Sequence, residues 1–257
     1  YARYNSERLR WFDRWLKEID NGAEADPPVR LFTMGGGDGS LSAPKAGGAG
    51  VFGSGLAAKG YLNHGGRWRE EPAWPLARAV QTPFYLRDGN RLSTEAPAAE
   101  TGSARWTHDP EHPVPTLGAS VAPFLEFIPL PKGISPDYLS TRGRMTTFTY
   151  DGPMHQRERP DIFGSAEPFP LLAERSDVVV FETEKLVEAV EVTGQIRVKL
   201  WISSDAPDTD FTARLIDVYP PSPDEAEGYH MNIVDSILRA RFRDGFDAER
   251  LMVPGTI

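Results

Sequence analysis

Residues 190–218 read VEVTGQIRVKLWISSDAPDTDFTARLIDV, and this stretch decides the predicted fold. Ile, Val, Leu and Ile occupy every second position of residues 196–202, and Phe, Ala and Leu do so over residues 211–215. A period of two predicts β-strands whose successive side chains face opposite sides of a sheet. Gly194 and a proline-containing connection separate these runs. The stretch therefore predicts successive strands of one β-structure.

Further strand signals extend outward from this stretch in both directions. The Asp88-Gly89 pair predicts a hairpin turn between residues 84–86 and 91–93. With 24 glycines and 23 prolines, the chain suits short strands joined by turns better than a helical bundle. We therefore predict a mainly β fold of the jelly-roll β-sandwich kind. The other predicted strands are Val29 to Met34, Thr146 to Tyr150, Val178 to Glu182, Val190 to Val192 and Ile233 to Phe242.

The amino-terminal segment predicts one amphipathic helix. Asn5 or Ser6 can cap its first N–H groups, and Asn21-Gly22 supplies a left-handed residue for its end. This helix and the strand that follows it make a fragment of an α/β domain rather than a domain. Without a partner, the apolar side of the helix would be exposed. That side consists of Leu9, Phe12, Leu16 and Ile19.

Composition excludes several classes of protein. The formal net charge of −9 at pH 7 argues against a nucleic-acid partner, which requires a basic face. The chain has no cysteine, which excludes disulfide scaffolds, cysteine-ligated zinc and thiol nucleophiles. No apolar run approaches the roughly 20 residues that span a bilayer, so no membrane partner is expected. The glycine-rich residues 35–66 lack the Gly-Lys-Ser/Thr of a phosphate loop and are predicted to be a surface loop.

Few side chains form a pattern that carries chemistry. His108 and His112 are four residues apart, but Pro110 and Pro113 exclude the helix that would align them, so we predict no metal site. No Gly-x-Ser-x-Gly motif marks a serine nucleophile. Asp208 and Asp210 have the spacing of carboxylates on one strand face, and we predict that they cap a turn or pair with arginine.

Several longer strings resemble one family in content and in order. The most specific are residues 192–213, which contain VTG and SSDAPDTDFTA, and the following SILRARFR. The chain resembles the cocaine esterase-like, or X-Pro dipeptidyl-peptidase-like, hydrolases over nearly its whole length. The other matching strings are ERLRWFDRWLKEIDNG, VRLFTMG, GGRWREEPAWPLA, TPFYL, DPEHPVPTLG, TYDGP and SDVVVFETEKL.

The resemblance implies an α/β-hydrolase domain with a Ser-Asp-His triad, an inserted helical cap and a C-terminal jelly roll of the galactose-binding-like type. In that family a serine attacks an ester or amide carbonyl, and water then hydrolyses the acyl-enzyme. No cofactor is expected. Residues 1–34 would be the last helix and strand of the hydrolase domain, 35–78 a glycine-rich linker, and 79–257 a jelly roll incomplete at its C-terminus. The triad would lie upstream of Tyr1, so no catalytic residue is assigned here and the chain alone is expected to be inactive.

The resemblance also implies a place for substrate. The loop after residues 115–118 is expected to face the active site, with Phe124 as an apolar wall. Trp68 is a second predicted substrate-binding residue, and an equally good interpretation is that it anchors the long loop on the sandwich.

The expected partners are the α/β-hydrolase portion of the same protein, a small ester, amide or peptide substrate, and a second copy of the chain. Two other functions stay open. One is a stand-alone carbohydrate-binding jelly roll with Trp68, Trp74 and Trp106 as stacking platforms, and the other is a structural or dimerisation module. A cytoplasmic location is favoured, although the absence of cysteine is equally compatible with export.

Overall fold

The computed structural model describes residues 2–42, 61–98, 102–118, 154–160, 162 and 164–257. Within these ranges the chain is mainly β, as the strand patterns predict, with one α-helix, α1 (Ala2–Lys17). The strands pair as four two-stranded sheets, β1 with β4, β2 with β3, β5 with β6, and β7 with β8. Their bounds are β1 (Val29–Gly36), β2 (Leu41–Ser42), β3 (Tyr61–Leu62), β4 (Gly65–Glu71), β5 (Tyr85–Arg87), β6 (Arg91–Ser93), β7 (Asp210–Tyr219) and β8 (Tyr229–Arg239). Short 3-10 helices lie at Ala23–Ala25, Leu172–Glu174 and Ala240–Phe242.

Helix α1 has different ends from those predicted. It begins before Asn5, so the predicted capping residues lie inside it, and it ends at Lys17 rather than at Asn21-Gly22. Glu18 takes a left-handed φ of 57°, and the Ile19 N–H donates to the Asp13 carbonyl at 3.1 Å. The left-handed residue that ends the helix is therefore Glu18, which already makes the turn assigned to Gly22.

One compact unit combines Tyr1–Met34, Gly66–Gln81 and Glu191–Gln195. Ion pairs from Arg10 to Asp26 and from Arg14 to Glu24 fasten the turn after α1 to the helix. The predicted apolar side of α1 is exposed, with Leu9 at 61% and Leu16 at 75% of full accessibility. Within the described ranges, no helix is long and apolar enough to cross a membrane.

A second compact unit contains Gly35–Gly65, Thr82–Val190 and Ile196–Ile257. Its main element is the antiparallel pair β7–β8, whose register shifts between Leu215 and Ile216. Residues 154–158 lie along β8, because the Gln156 N–H donates to the His230 carbonyl at 2.9 Å. On the opposite edge, the Gln156 carbonyl accepts from the Leu172 N–H at 2.8 Å. Leu117, Met154, Ile162 and Leu172 form the buried cluster beside this segment.

The hairpin prediction is confirmed. β5 and β6 pair with Leu86 opposite Leu92, and the turn between them contains Gly89 and Asn90 in left-handed conformations. Strand β1 extends the predicted strand to Gly36. The predicted glycine-rich loop holds a small antiparallel ladder of β2 and β3, in which Leu41 lies opposite Leu62.

The structure corrects the remaining strand predictions. Residues 190–192 and 196–202 form no strand, and within the described ranges no segment pairs with them. Alternation specifies two side-chain faces but supplies no partner for the backbone N–H groups, and a strand requires both. Residues 178–182 contribute a single bridge between Glu182 and Arg91 instead of a strand. The last predicted strand ends at Arg239 and continues as a 3-10 helix, and residues 146–150 lie outside the described ranges.

Candidate functional site

Trp68 lies on β4 and borders a surface recess. The indole is 54% exposed, and its ring meets Phe32 edge to face at 5.5 Å between centroids. The Arg30 guanidinium lies over the indole at 5.9 Å from its centroid. Arg30, Trp68, Arg69 and Glu70 line a recess of about 360 Å³. An aromatic face beside a guanidinium can hold a planar apolar or anionic group.

Two bidentate ion pairs fix the chain next to Trp68. Arg69 donates to both carboxylate oxygens of Glu191 at 2.7 and 2.6 Å, and Arg78 does the same to Glu71 at 2.7 and 2.6 Å. The hydrogen bonds from Arg69, followed by one from Thr193, lower the pKa of Glu191 to about 2. The carboxylates therefore remain charged and bind the arginines, which leaves them unsuited to proton transfer near neutral pH.

Residues 109–118, the DPEHPVPTLG loop, make several local contacts. The Asp109 side chain accepts from the Glu111 N–H at 3.0 Å and contacts the His112 Nδ1 at 2.8 Å. The bond to His112 lowers the pKa of Asp109. Gly118 ends the loop with a left-handed φ of 66°, and Leu117 has no exposed surface. The loop thus begins with a turn that the Asp109 side chain caps, and it ends in the protein core.

Three side chains from elsewhere in the sequence donate to carbonyls of this loop. The Arg175 Nη2 donates to the His112 carbonyl at 2.7 Å, and the Arg214 Nη2 donates to the Pro115 carbonyl at 3.2 Å. The Gln156 Nε2 donates to the Leu117 carbonyl at 2.7 Å. We call Gln156, Arg175 and Arg214 the loop clamp. None of the three was predicted, because the partners are 39 to 99 positions apart in sequence and show no local pattern.

The loop clamp is itself fixed by further contacts. The Gln156 Oε1 accepts from the Arg214 Nη1 at 2.9 Å. Arg175 donates to Glu158 at 2.7 Å and to both oxygens of Asp177 at 2.8 Å. These hydrogen bonds raise the pKa of Arg175, and the bonds to Asp177 have the largest effect. Burial lowers the pKa of Arg214. Each donor is therefore held in one orientation while it contacts the loop.

The other predicted side chains have varied outcomes. Phe124 lies outside the described ranges. Asp208 and Asp210 pair with arginines as predicted, with Arg241 at 2.6 Å and Arg239 at 2.8 Å. Within the described ranges, no group of three or more histidine and carboxylate side chains converges as metal ligands.

Two histidines that are isolated in the sequence come together in the structure. The His155 Nδ1 accepts from the His230 N–H at 3.0 Å, and the His155 ring stacks on Tyr229 at 4.5 Å. Burial lowers the pKa of His230. The two histidines thus pack where residues 154–158 lie along β8.

Comparison with known proteins finds a relative that matches nearly the whole of this chain. The chain is 29% identical over 256 residues to the cocaine esterase of Rhodococcus sp. (strain MB1 Bresler), a match that covers 96% of this chain and 32% of that protein. The chain therefore spans about a third of the length of this curated relative.

A family model covers most of the chain. Residues 21–257 match the X-Pro dipeptidyl-peptidase C-terminal non-catalytic domain, which includes β1 to β8, the Trp68 recess and the loop clamp. The match begins after α1 and continues to Ile257. This protein chain belongs to the family of X-Pro dipeptidyl-peptidase C-terminal non-catalytic domains.

Proposed function

We propose that this chain is the C-terminal non-catalytic part of a serine hydrolase that cleaves ester or amide bonds through an acyl-enzyme. The observation that carries the proposal is the family match over residues 21–257. The relative named cocaine esterase supports an ester as one class of substrate. The sequence is consistent with a non-catalytic role, because it holds no Gly-x-Ser-x-Gly nucleophile motif.

In the complete protein, a serine outside these 257 residues attacks the substrate carbonyl while a histidine accepts its proton. Donors near that serine stabilise the oxyanion, and water then releases the acid. This chain contributes a wall rather than a reacting group. A wall of this kind orients the acyl group and excludes water from the acyl-enzyme, and both effects raise the rate of the chemical step.

We assign to this wall the segment after residues 115–118, which the resemblance expects to face the active site, together with the DPEHPVPTLG loop that leads into it. The inner side of this loop is buried through Pro115 and Leu117, while Thr116 between them retains partial exposure. The loop is therefore supported from behind and presents a short outward surface. Phe124 and Trp68 are proposed as further substrate-binding residues, with Trp68 contributing through its recess on β4.

The α1 helix is proposed to pack against the α/β-hydrolase portion of the same protein. Its exposed side chains form a continuous apolar side that a folded protein normally covers. The cocaine esterase relative is about three times as long as this chain, which leaves ample sequence for such a portion. The exposed members are Leu9, Trp11, Phe12, Trp15 and Leu16, and the exposed Ile19 follows just after the helix.

A burst experiment tests the proposal. The complete gene product and the 257-residue chain are mixed separately with p-nitrophenyl acetate, and p-nitrophenol is followed in the pre-steady state. An acyl-enzyme predicts a burst close to one equivalent from the complete gene product and none from the chain. A burst from the chain alone, or no hydrolysis by the complete gene product, would contradict the proposal.

A further inference from the structure

The DPEHPVPTLG loop has an unusual hydrogen-bonding requirement. Three of its residues, Pro110, Pro113 and Pro115, have no backbone N–H, so the loop cannot form a regular ladder with a neighbouring strand. Its carbonyl groups nevertheless enter the protein interior at Pro115 and Leu117, where an unpaired carbonyl is costly. Donors must therefore come from side chains, and the loop clamp provides them.

Gln156 is the member of the loop clamp whose position is most strongly determined. Its backbone is hydrogen-bonded to His230 on one edge and to Leu172 on the other. Its amide nitrogen donates to the carbonyls of Leu117 and Met154 at 2.7 and 3.1 Å. Only 3% of the residue is exposed, so every polar atom of the side chain acts inside the core.

Arg214 couples the same loop to β7. One nitrogen of its guanidinium donates to the Gln156 Oε1, and another donates to the Pro115 carbonyl. Across the strands it lies opposite Asp235, whose charge raises the arginine pKa against the effect of burial. The guanidinium is partly buried and its two hydrogen bonds go to neutral acceptors, an arrangement that is costly as packing and favours a role in positioning.

Arg175 fastens the entrance of the loop. It joins the His112 carbonyl to Glu158 and Asp177, and the Glu158 side chain is 1% exposed. Glu158 also accepts from the Ala166 N–H at 2.8 Å. The entrance and the buried end of the loop are thus held by separate networks, and both networks begin in residues 156–158.

We propose that Gln156, Arg175 and Arg214 are positioning residues that hold the DPEHPVPTLG loop in one conformation and thereby set the acyl selectivity of the complete enzyme. The inference rests on the proposed function, which makes this loop a wall of the acyl pocket. A wall that cannot move discriminates between acyl groups by shape, whereas a loosened wall admits them more evenly.

Two substitutions test the loop clamp in the complete gene product. Gln156→Glu retains an acceptor for Arg214 but replaces the amide nitrogen that donates to the Leu117 carbonyl with a carboxylate oxygen. The loop therefore loses one hydrogen bond, and two oxygens repel each other in its place. Arg214→Lys retains the positive charge, but an ammonium cannot donate to Gln156 and Pro115 with the fork geometry of a guanidinium. Arg239→Gln is the matched control, because it breaks the exposed pair with Asp210 on the same strands, away from the loop.

The readouts separate positioning from general stability. The ratio of kcat/KM for p-nitrophenyl benzoate to that for p-nitrophenyl acetate is measured after active serines are counted by fluorophosphonate titration. Hydrogen–deuterium exchange reports the amides of residues 109–118. In both test variants the ratio is expected to move toward one by about fivefold, and the loop amides to exchange about tenfold faster. In the control, both quantities stay within about twofold of the unsubstituted protein.

Arg214→Lys is the milder of the two variants, and it decides the test alone if Gln156→Glu fails to fold. A labelled Arg214→Lys protein whose selectivity is unchanged would overturn the inference and leave the proposed function intact. Absence of fluorophosphonate label in the unsubstituted complete gene product would overturn the proposed function and, with it, this role for the loop.

Discussion

Gln156 and Arg214 share a hydrogen bond of 2.9 Å between Oε1 and Nη1, although they are 58 positions apart in the sequence. Arg214 is the donor in this bond, and it also donates to the Pro115 carbonyl of the DPEHPVPTLG loop, while the Gln156 amide donates to the Leu117 carbonyl of the same loop. The pair therefore joins β7, the segment beside β8 and the loop in one largely buried network. Such a network is stable when every member is paired and costly when one is lost.

Loss of the Glu158 carboxylate is expected to destabilise the protein strongly. Glu158→Ala would leave the Arg175 guanidinium largely buried with one fewer anionic partner and the Ala166 N–H without its acceptor. The unfolding free energy, from urea titration of the complete gene product, should fall by about 3–5 kcal/mol.

The matched substitution for this comparison is Asp210→Ala. It removes the partner of Arg239, whose side chain is 51% exposed, so solvent replaces the lost contact. The expected change is below about 1 kcal/mol. Equal losses in the two variants would contradict the distinction between the buried and the exposed ion pair.

Acid is expected to weaken the ion pair between Glu191 and Arg69. The folded pKa of Glu191 is about 2, below its ordinary value of 4.5, so its contribution to stability is full above about pH 4.5 and is lost as the pH falls toward 2. The contribution is modest, because the carboxylate is 42% exposed. The unfolding free energies of the unsubstituted protein and Glu191→Gln should therefore differ most near about pH 6 and converge toward about pH 2.

Arg69→Gln provides the reciprocal variant for this pH series. If Arg69 is the principal cause of the lowered pKa, Arg69→Gln should shift the acid limb of the stability curve to higher pH. A curve identical to that of the unsubstituted protein would show that another group sets the pKa of Glu191.

The apolar side of α1 is expected to make the isolated 257-residue chain associate. In Leu9→Lys/Leu16→Lys, two exposed apolar groups become charged, so light scattering should report less association. In the complete gene product the same change should lower stability, because the hydrolase portion is proposed to cover this side. Val187→Lys, at a position 96% exposed, serves as the control. A monodisperse, cooperatively melting monomer of the unsubstituted chain would contradict this prediction.

Trp68 distinguishes a substrate contact from a structural anchor. In the complete gene product, Trp68→Ala should raise KM for p-nitrophenyl benzoate several-fold, because the indole face beside Arg30 is lost. Trp68→Phe should retain most of the affinity. A lower melting temperature with unchanged kinetics would instead identify Trp68 as an anchor that packs on Phe32.

Phe124 is tested through acyl size. Phe124→Ala in the complete gene product should shift the preference between acetate and benzoate esters of p-nitrophenol, because it enlarges the proposed pocket. Kinetic constants that keep the same ratio across the two esters would remove Phe124 from the substrate-binding residues.

Local signals predicted the local features of this chain. The Asp88-Gly89 turn and the helical spacing from Leu9 to Leu16 depend only on residues that are close in sequence, and both the hairpin and the helix exist. The end of α1 differs because Glu18 adopts a left-handed conformation that is uncommon for its residue type.

The long-range features could not be predicted in the same way. Residues 196–202 alternate like a strand, yet alternation does not specify a pairing partner, and the described ranges contain none. The loop clamp depends on side chains brought together by the pairing of β7 with β8 and of β8 with residues 154–158. A single glutamine or arginine in a sequence carries no signal of such a contact, so the site emerges only from the structure.

Fluorophosphonate labelling of the complete gene product, followed by mass-spectrometric mapping of the modified peptide, tests the central claim most directly. We expect one labelled serine outside these 257 residues, and no label on the chain when it is treated alone. A labelled serine within these residues, or a complete gene product that takes no label, would contradict the assignment of this chain as the non-catalytic part of a serine hydrolase.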